Sequence, residues 1–278
     1  MILVTGATGS FGGSTALYLQ QKSILFRAAS RNLEALKKRF GSDTELATFD
    51  WDKPETFVNI LKGITIVYLV PPPVVTSDFH IIAKPFIEAA KKTGVRHIVV
   101  ITALYSDNPD SIFCGTEALI KGSGINFTII RPSFVFQNFL KQFLQSVRDG
   151  VIAAPSEKGK TSYVDVRNVG EASAIVLENP TPHNGKTYAI TGSEALTHSQ
   201  MADIFSQQLS KQVVHISPSI EEYKKKLASL NVPDFLYEFL AVLYSTIAKG
   251  QWEEVSNDYT LLTDKNAATF TDFVKENQ

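Results

Sequence analysis

The chain opens MILVTGATGSFG over residues 1–12, an apolar run followed by glycines at positions 6, 9 and 12. Ile2, Leu3 and Val4 read as a short parallel strand covered on both faces. The stretch GGSTALYLQQK, Gly12 to Lys22, reads as the helix behind it. Glycine permits a sharp turn, lets main-chain N–H groups approach a pyrophosphate, and lets a helix pack close to a strand. The first turn of a helix adds N–H groups without intrahelical partners and a partial positive charge. Strand, glycine turn and helix in this order predict a cradle for dinucleotide phosphates. Its expected contact residues are Gly6, Thr8, Gly9, Ser10, Phe11 and Gly12.

The same alternation continues. Apolar runs recur at 24–30 (ILFRAAS), 45–50 (ELATFD), 66–70 (IVYLV), 97–102 (HIVVIT) and 127–131 (FTIIR). Between them lie helical segments at Leu33–Phe40, Ser77–Thr93 closed by Gly94, and Thr116–Lys121. Asp52-x-x-Glu55, with Pro54 in the first turn, predicts a capping box. Strands joined by crossover helices predict an α/β fold, a Rossmann-type doubly wound parallel sheet. After Pro132 the pattern changes. A Phe-rich helix is expected over Gln137–Arg148, then a loop over Gly150–Lys160. Short strands are expected at Ser162–Val166, Lys186–Ile190 and Val213–Ile216, with a helix at Arg167–Leu177. The expected division is a nucleotide-binding domain at 1–150 with a return segment at about 162–178, and a smaller, mostly helical lobe at 179–278. Such a lobe is expected to close over the carboxyl ends of the strands.

Composition narrows the partners. The 278 residues carry a net charge of −1, so nothing electrostatic points to nucleic acid or to an anionic membrane surface. Apolar runs all fall short of the roughly 20 residues a membrane helix needs. Cys114 is the single cysteine, which excludes an intrachain disulfide and suits a reducing compartment. The expectation is a cytoplasmic monomer or homodimer acting on a small molecule. The histidines at 80, 97, 183, 198 and 215 have no ligand spacing, so no metal is expected.

The end of the second strand bears on which nucleotide binds. An acidic residue there would accept from a ribose 2′-hydroxyl and repel a 2′-phosphate. Ser30-Arg31-Asn32 stands there instead, and the Arg31 fork together with Asn32 favours NADP. Asp50 ends the third strand, where it could accept from an adenine amino group, with Trp51 beside it. The fourth strand runs into Val70-Pro71-Pro72-Pro73, a stiff loop expected to wall the ribose and nicotinamide. Thr102, ending the fifth strand, and Phe134, after the sixth, complete the expected cofactor contacts.

With these residues assembled, the chain resembles the NmrA-like atypical short-chain dehydrogenases. The resemblance rests on TGATGSFG with its GxxGxxG spacing, SRN at 30–32, GVRHIVVIT at 94–102, SGINFTIIRPSF at 123–134 followed by QNF, YVDVRNVGEAS at 163–173 and GKTYAITG at 185–192. FDW at 49–51 and YLVPPP at 68–73 are similar to the branch of ergot-alkaloid festuclavine and agroclavine dehydrogenases. The resemblance implies NADPH at the glycine loop and hydride delivery to a quinone, a dye or an iminium carbon. The family also holds redox-sensing regulators, so an NADP-binding sensor without catalysis is the alternative. Short-chain dehydrogenases carry a Tyr-x-x-x-Lys pair after the fifth strand. Here the spacing occurs only at Tyr18 and Lys22, on the first helix. Ile112-Phe113-Cys114-Gly115 stands where relatives place a His or Lys.

Catalytic candidates are therefore few. Tyr105, after the fifth strand, could face a nicotinamide, and Glu117 could orient a water. Phe136 is expected beside Phe134 in the cofactor pocket. Phe139, Leu140, Phe143 and Leu144 recur at helical spacing and read as core or as an aromatic substrate wall. Asp165 reads as a helix cap.

Overall fold

The computed structural model describes residues 1–72, 79–109 and 111–277. Pro73 and the expected helix start at Ser77 lie outside the described residues. The strands are β1 (Ile2–Val4), β2 (Phe26–Ser30), β3 (Glu45–Thr48), β4 (Ile66–Leu69), β5 (His97–Ile101), β6 (Asn126–Pro132), β7 (Val151–Ala153), β8 (Lys160–Thr161), β9 (Thr187–Ile190), β10 (Leu196–Thr197) and β11 (Val214–Ile216). The helices of the first half are α1 (Ser10–Gln21), α2 (Leu33–Phe40), α3 (Phe57–Ile60), α4 (Phe79–Thr93), α5 (Cys114–Gly122) and α6 (Phe136–Arg148). Those of the second half are α7 (Val166–Glu178), α8 (His198–Leu209), α9 (Ile220–Ser229), α10 (Asp234–Ala248), α11 (Asp258–Thr263) and α12 (Phe270–Glu276).

Two compact units emerge. The first comprises Met1–Pro132, Val166–Ile190 and Asp258–Asp264. It is built on a parallel sheet in the order β3-β2-β1-β4-β5-β6-β9. The chain winds outward from β1 to β3, then restarts beside β1 with β4 and winds the other way. That reversal puts a crevice outside the carboxyl ends of β1 and β4, where open α/β sheets bind ligands. The central strands carry apolar runs because both faces are covered there: Leu3, Val4, Val67, Tyr68, Ile98, Val99, Ile129 and Ile130 are all fully buried. Each such side chain contributes about 1.5–3 kcal/mol relative to exposure. One face is filled by Phe49, Phe57 and Phe86, with ring centroids 5.3–5.7 Å apart. On α7, Gly170 admits Ser14 of α1 so closely that a Cβ would lie 2.3 Å from the Ser14 Oγ.

The second unit comprises Ser133–Asp165, Thr191–Asn257 and Lys265–Gln278. Phe136, Phe139, Phe143 and Val147 form one stripe of α6, and it is core. They pack with Phe205, Phe270 and Phe273, with Phe136 5.2 Å from Phe270 and 5.0 Å from Phe273. Phe136 is therefore a core residue, not the pocket lining expected of it. Two small sheets, β7 with β11 and β8 with β10, complete this unit.

Several boundaries differ from the sequence reading. Residues 133–150 fall in the second unit because the α6 stripe belongs to its core, and 179–190 fall in the first because β9 extends the large sheet. The expected loop at 150–160 contains β7, which pairs with β11. Within the expected strand at Ser162–Val166 only Val164 bridges, to Val135, and the strand β8 lies just before it. No capping box forms at Asp52: Lys53 holds the N-cap position of a tight turn at Pro54–Thr56 without a side-chain cap. The Asp52 N–H is instead turned back to Asp50 Oδ1 at 3.2 Å, an Asx turn.

Candidate functional site

The crevice is built from Thr5 upward. Its N–H and hydroxyl both donate to the Tyr68 carbonyl at 3.1 Å, and its Oγ1 accepts from the Val70 N–H at 2.8 Å. These bonds lock the ends of β1 and β4 together. Gly6 then turns with φ +61°, and the Gly9 N–H closes the turn on the Gly6 carbonyl at 2.9 Å. The Ala7 N–H ties the loop to β2 through the Ala29 carbonyl at 3.1 Å. At Gly12 a Cβ would stand 2.5 Å from the carbonyl oxygens of both Thr5 and Gly6, so only glycine fits. Gly9 is the N-cap of α1, and no side chain caps that helix. Its first-turn N–H groups and the positive end of its dipole are thus left for a ligand at the strand ends.

Along the edge toward β2, Thr8 donates to Ser30 Oγ at 3.2 Å, and Ser30 Oγ accepts from the Asn32 N–H at 3.0 Å. The Asn32 side chain caps α2 by accepting from the Ala35 N–H at 2.9 Å, which occupies its carbonyl oxygen. Arg31 is exposed and pairs with no carboxylate among the described residues. Sequence reasoning missed Arg39. Its Nη1 donates to the Thr8 carbonyl at 3.2 Å and reaches the Gly9 carbonyl at 3.4 Å. A Cβ on Gly13 would lie 2.3 Å from the Arg39 Cζ, so this glycine makes room for the guanidinium. Partial burial lowers the Arg39 pKa from the usual guanidinium value.

At the ends of β5 and β6 the structure assembles an ion-pair cluster. Glu117 is buried on α5 and accepts from Arg131 Nε at 2.9 Å and Nη2 at 2.7 Å. It also accepts from Thr102 Oγ1 at 3.0 Å and Lys121 Nζ at 3.2 Å. Burial pulls its pKa upward, but the Arg131 hydrogen bonds and charge, with those of Thr102 and Lys121, hold it below the usual carboxylate range. Arg131 gains a further partner in Asp107 at 3.2 Å. A carboxylate with this many donors is an anchor for Arg131, and the Thr102 hydroxyl is spent on it. Tyr105, half-buried just beyond β5, has φ +59°, a conformation uncommon for a bulky side chain. Its carbonyl accepts from the Asn108 N–H at 3.0 Å, and Ser106 Oγ bonds both N–H and C=O of Ala103.

The other expected residues lie as follows. Trp51 packs edge-on against Phe49 at 4.8 Å and Phe79 at 5.0 Å. Val70, Pro71 and Pro72 are half-buried after β4, and the Val70 Cβ is 3.2 Å from where a Gly6 Cβ would stand. In the second unit Phe134 lies 4.4 Å from Trp252, an aromatic pair no local spacing announces. Asp165, directly before α7, accepts from Gln137 Nε2 at 2.9 Å. Among the described residues no cluster of His, Cys, Asp and Glu could hold a metal, and no helix is long and apolar enough to cross a membrane.

The NmrA-like family matches residues 1–265. The chain belongs to this family. Its curated relatives include chains of similar length. It is 28% identical over 281 residues to the NAD(P)H azoreductase of Xenophilus azovorans, covering 99% of this chain and 97% of that one. It is 26% identical over 290 residues to the agroclavine dehydrogenase of Claviceps fusiformis, covering 100% and 97%. Among solved structures it superimposes on the triphenylmethane reductase of Citrobacter sp., solved with NADP(H), at a TM-score of 0.90. The two are 25% identical, with 100% of this chain and 99% of the other covered. The seven-stranded sheet of this NmrA-like chain is thus the sheet of a known reductase fold.

Proposed function

We propose that this protein is an NADP(H)-dependent oxidoreductase that reduces a small, apolar, electrophilic organic molecule. The observation that carries the reading is the uncapped α1 N-terminus beside Gly12, where no Cβ fits, at the reversal of the sheet. Main-chain donors there suit a pyrophosphate, and neither Arg31 nor Arg39, which leans on the loop carbonyls, meets a carboxylate among the described residues, so the residues present fit the nucleotide. Azoreductase, triphenylmethane reductase and agroclavine dehydrogenase relatives support the reaction class. Bound NADPH would supply the hydride.

The chain's own residues supply position and environment. Gly6, Gly9, Gly12 and the first turn of α1 hold the phosphates, and Arg31 holds the 2′-phosphate. Val70, Pro71 and Pro72 offer a stiff wall whose two prolines have no N–H to solvate. Glu117 fixes Arg131 and is held ionised, so it has no proton to give at neutral pH. This favours acceptors that take hydride without protonation at carbon's partner, such as an iminium C=N, whose product amine is neutral. A cationic triphenylmethane dye falls in the same class, since hydride at its central carbon leaves a neutral product, whereas the anion that a quinone forms takes its proton from water.

Purified protein mixed with NADPH and a panel of quinones, azo and triphenylmethane dyes and cyclic iminium salts tests the proposal. Acceptor-dependent loss of the reduced nicotinamide absorbance is expected. Tight NADP binding with no oxidation by any acceptor would replace the reductase with a cofactor sensor.

A further inference from the structure

We propose that Arg39 is a second phosphate-reading side chain, and that it and Arg31 together select a 2′-phosphorylated nucleotide. The inference rests on the nucleotide site proposed above and adds the residue that discriminates within it. Arg39 sits one residue before the end of α2, in the run Leu36-Lys37-Lys38-Arg39-Phe40. An arginine there could simply extend into water. Instead its guanidinium folds back over α1 to the carbonyls of Thr8 and Gly9, over a glycine that leaves it space. Thr8 is the loop residue whose hydroxyl reaches Ser30, and Ser30 Oγ receives the Asn32 N–H. The guanidinium of Arg39 is therefore anchored to the part of the loop that abuts residues 30–32, where Arg31 begins.

Charge sharpens the point. Lys22, Arg27, Lys121, Arg131 and Lys224 each meet a carboxylate, whereas Arg39 and Arg31 meet none among the described residues. Arg39 spends Nη1 on the loop carbonyls and keeps further N–H donors on a planar fork. A dianionic phosphate monoester has enough oxygens to take forks from two sides, and two cations suit its charge better than one. A ribose 2′-hydroxyl offers neither charge nor a bidentate acceptor. A side chain that only braced the loop would serve both nucleotides alike.

Isothermal calorimetry with NADP⁺, NAD⁺ and 2′,5′-ADP separates these roles, using wild type, Arg39→Gln and Arg39→Lys. Arg39→Gln should weaken NADP⁺ and 2′,5′-ADP about tenfold or more while changing NAD⁺ less than about threefold. Arg39→Lys, which keeps the charge and loses the fork, should fall between Arg39→Gln and wild type for NADP⁺, and it carries the test should the Gln variant unfold. Equal weakening of NAD⁺ and NADP⁺ would make Arg39 a loop brace and overturn the proposal. Unchanged NADP⁺ affinity in both variants would overturn it too, with the nucleotide site left standing. A wild-type protein that bound neither nucleotide would overturn the site and this inference together.

Discussion

At the scale of single residues, Arg131 and Arg31, both in the first unit, differ in their partners. Arg131 is locked to Glu117 and Asp107, while Arg31 is exposed and meets no carboxylate among the described residues. Arg31→Ala should weaken NADPH by about 1.5–3 kcal/mol, the range of a charged hydrogen bond, and leave NADH nearly unchanged. Fluorescence titration of both nucleotides checks this, and equal losses would remove Arg31 from 2′-phosphate recognition. Glu117→Gln tests the other arginine. It keeps the shape of the side chain but leaves Arg131 with only the exposed Asp107 as counter-charge. Because Arg131 retains some contact with solvent, a loss of about 2–4 kcal/mol is expected, toward the lower part of the range for breaking a buried pair. Urea unfolding measures it. A general acid would show the reverse pattern, a large fall in kcat with unchanged stability.

At the scale of elements, what could be read from the sequence depended on how local its cause was. Strands covered on both faces announce themselves as continuous apolar runs, so β1 to β6 stood in the sequence within a residue or two, and α2 at its observed bounds. The glycine loop was equally plain, because Gly6 and Gly12 are demanded by a turn and by a close approach a few residues away. The second unit was not. Its strands are two or three residues long, and the partner that makes β7 a strand, β11, lies over 60 positions later. Arg39 was hidden for the same reason: in LKKRF it reads as one more cation at a helix end, and only the fold brings it over Gly13. Trp252 meets Phe134 across 118 positions (252 − 134). The α1–α7 contact gives an element-scale prediction. Gly170→Ala places a methyl 2.8 Å from the Ser14 main-chain carbonyl carbon, which cannot move without shifting α1. Overpacking of this kind costs about 1–3 kcal/mol. Since α1 carries the loop, nucleotide affinity should fall together with the melting temperature. A variant that melts earlier but binds NADP⁺ as before would show that α1 adjusts without disturbing its first turn.

At the scale of the whole molecule, each unit buries one histidine in its neutral form. In the first, His97 Nε2 is 2.9 Å from Thr128 Oγ1, whose hydroxyl donates to the His183 carbonyl at 2.8 Å. Thr128 has thus committed its proton, and His97 must donate from Nε2. Burial, with a smaller contribution from nearby His183, lowers its pKa to about 4. In the second unit His198 lies among Phe139, Tyr163 and Tyr244, and burial with the charge of His215 lowers its pKa to about 3. Both folded values lie below the ordinary histidine value of 6.5. Between these limits the unfolded chain binds protons that the folded chain refuses, so stability rises with pH there. The contribution is complete above about pH 6.5 and is lost as pH falls toward 4 for His97 and 3 for His198. At about 1.4 kcal/mol per pKa unit, the full windows correspond to roughly 3 kcal/mol for His97 and roughly 5 kcal/mol for His198. Urea unfolding at half-unit steps from pH 7 to pH 4.5 should therefore show a falling midpoint. His97→Asn, which cannot acquire the charge, should be less stable than wild type at pH 7 yet lose less on acidification. Parallel pH profiles for the two proteins would mean that His97 takes up its proton as readily in the folded chain as in the unfolded one, and that the Nε2–H···Thr128 arrangement does not exclude the cation.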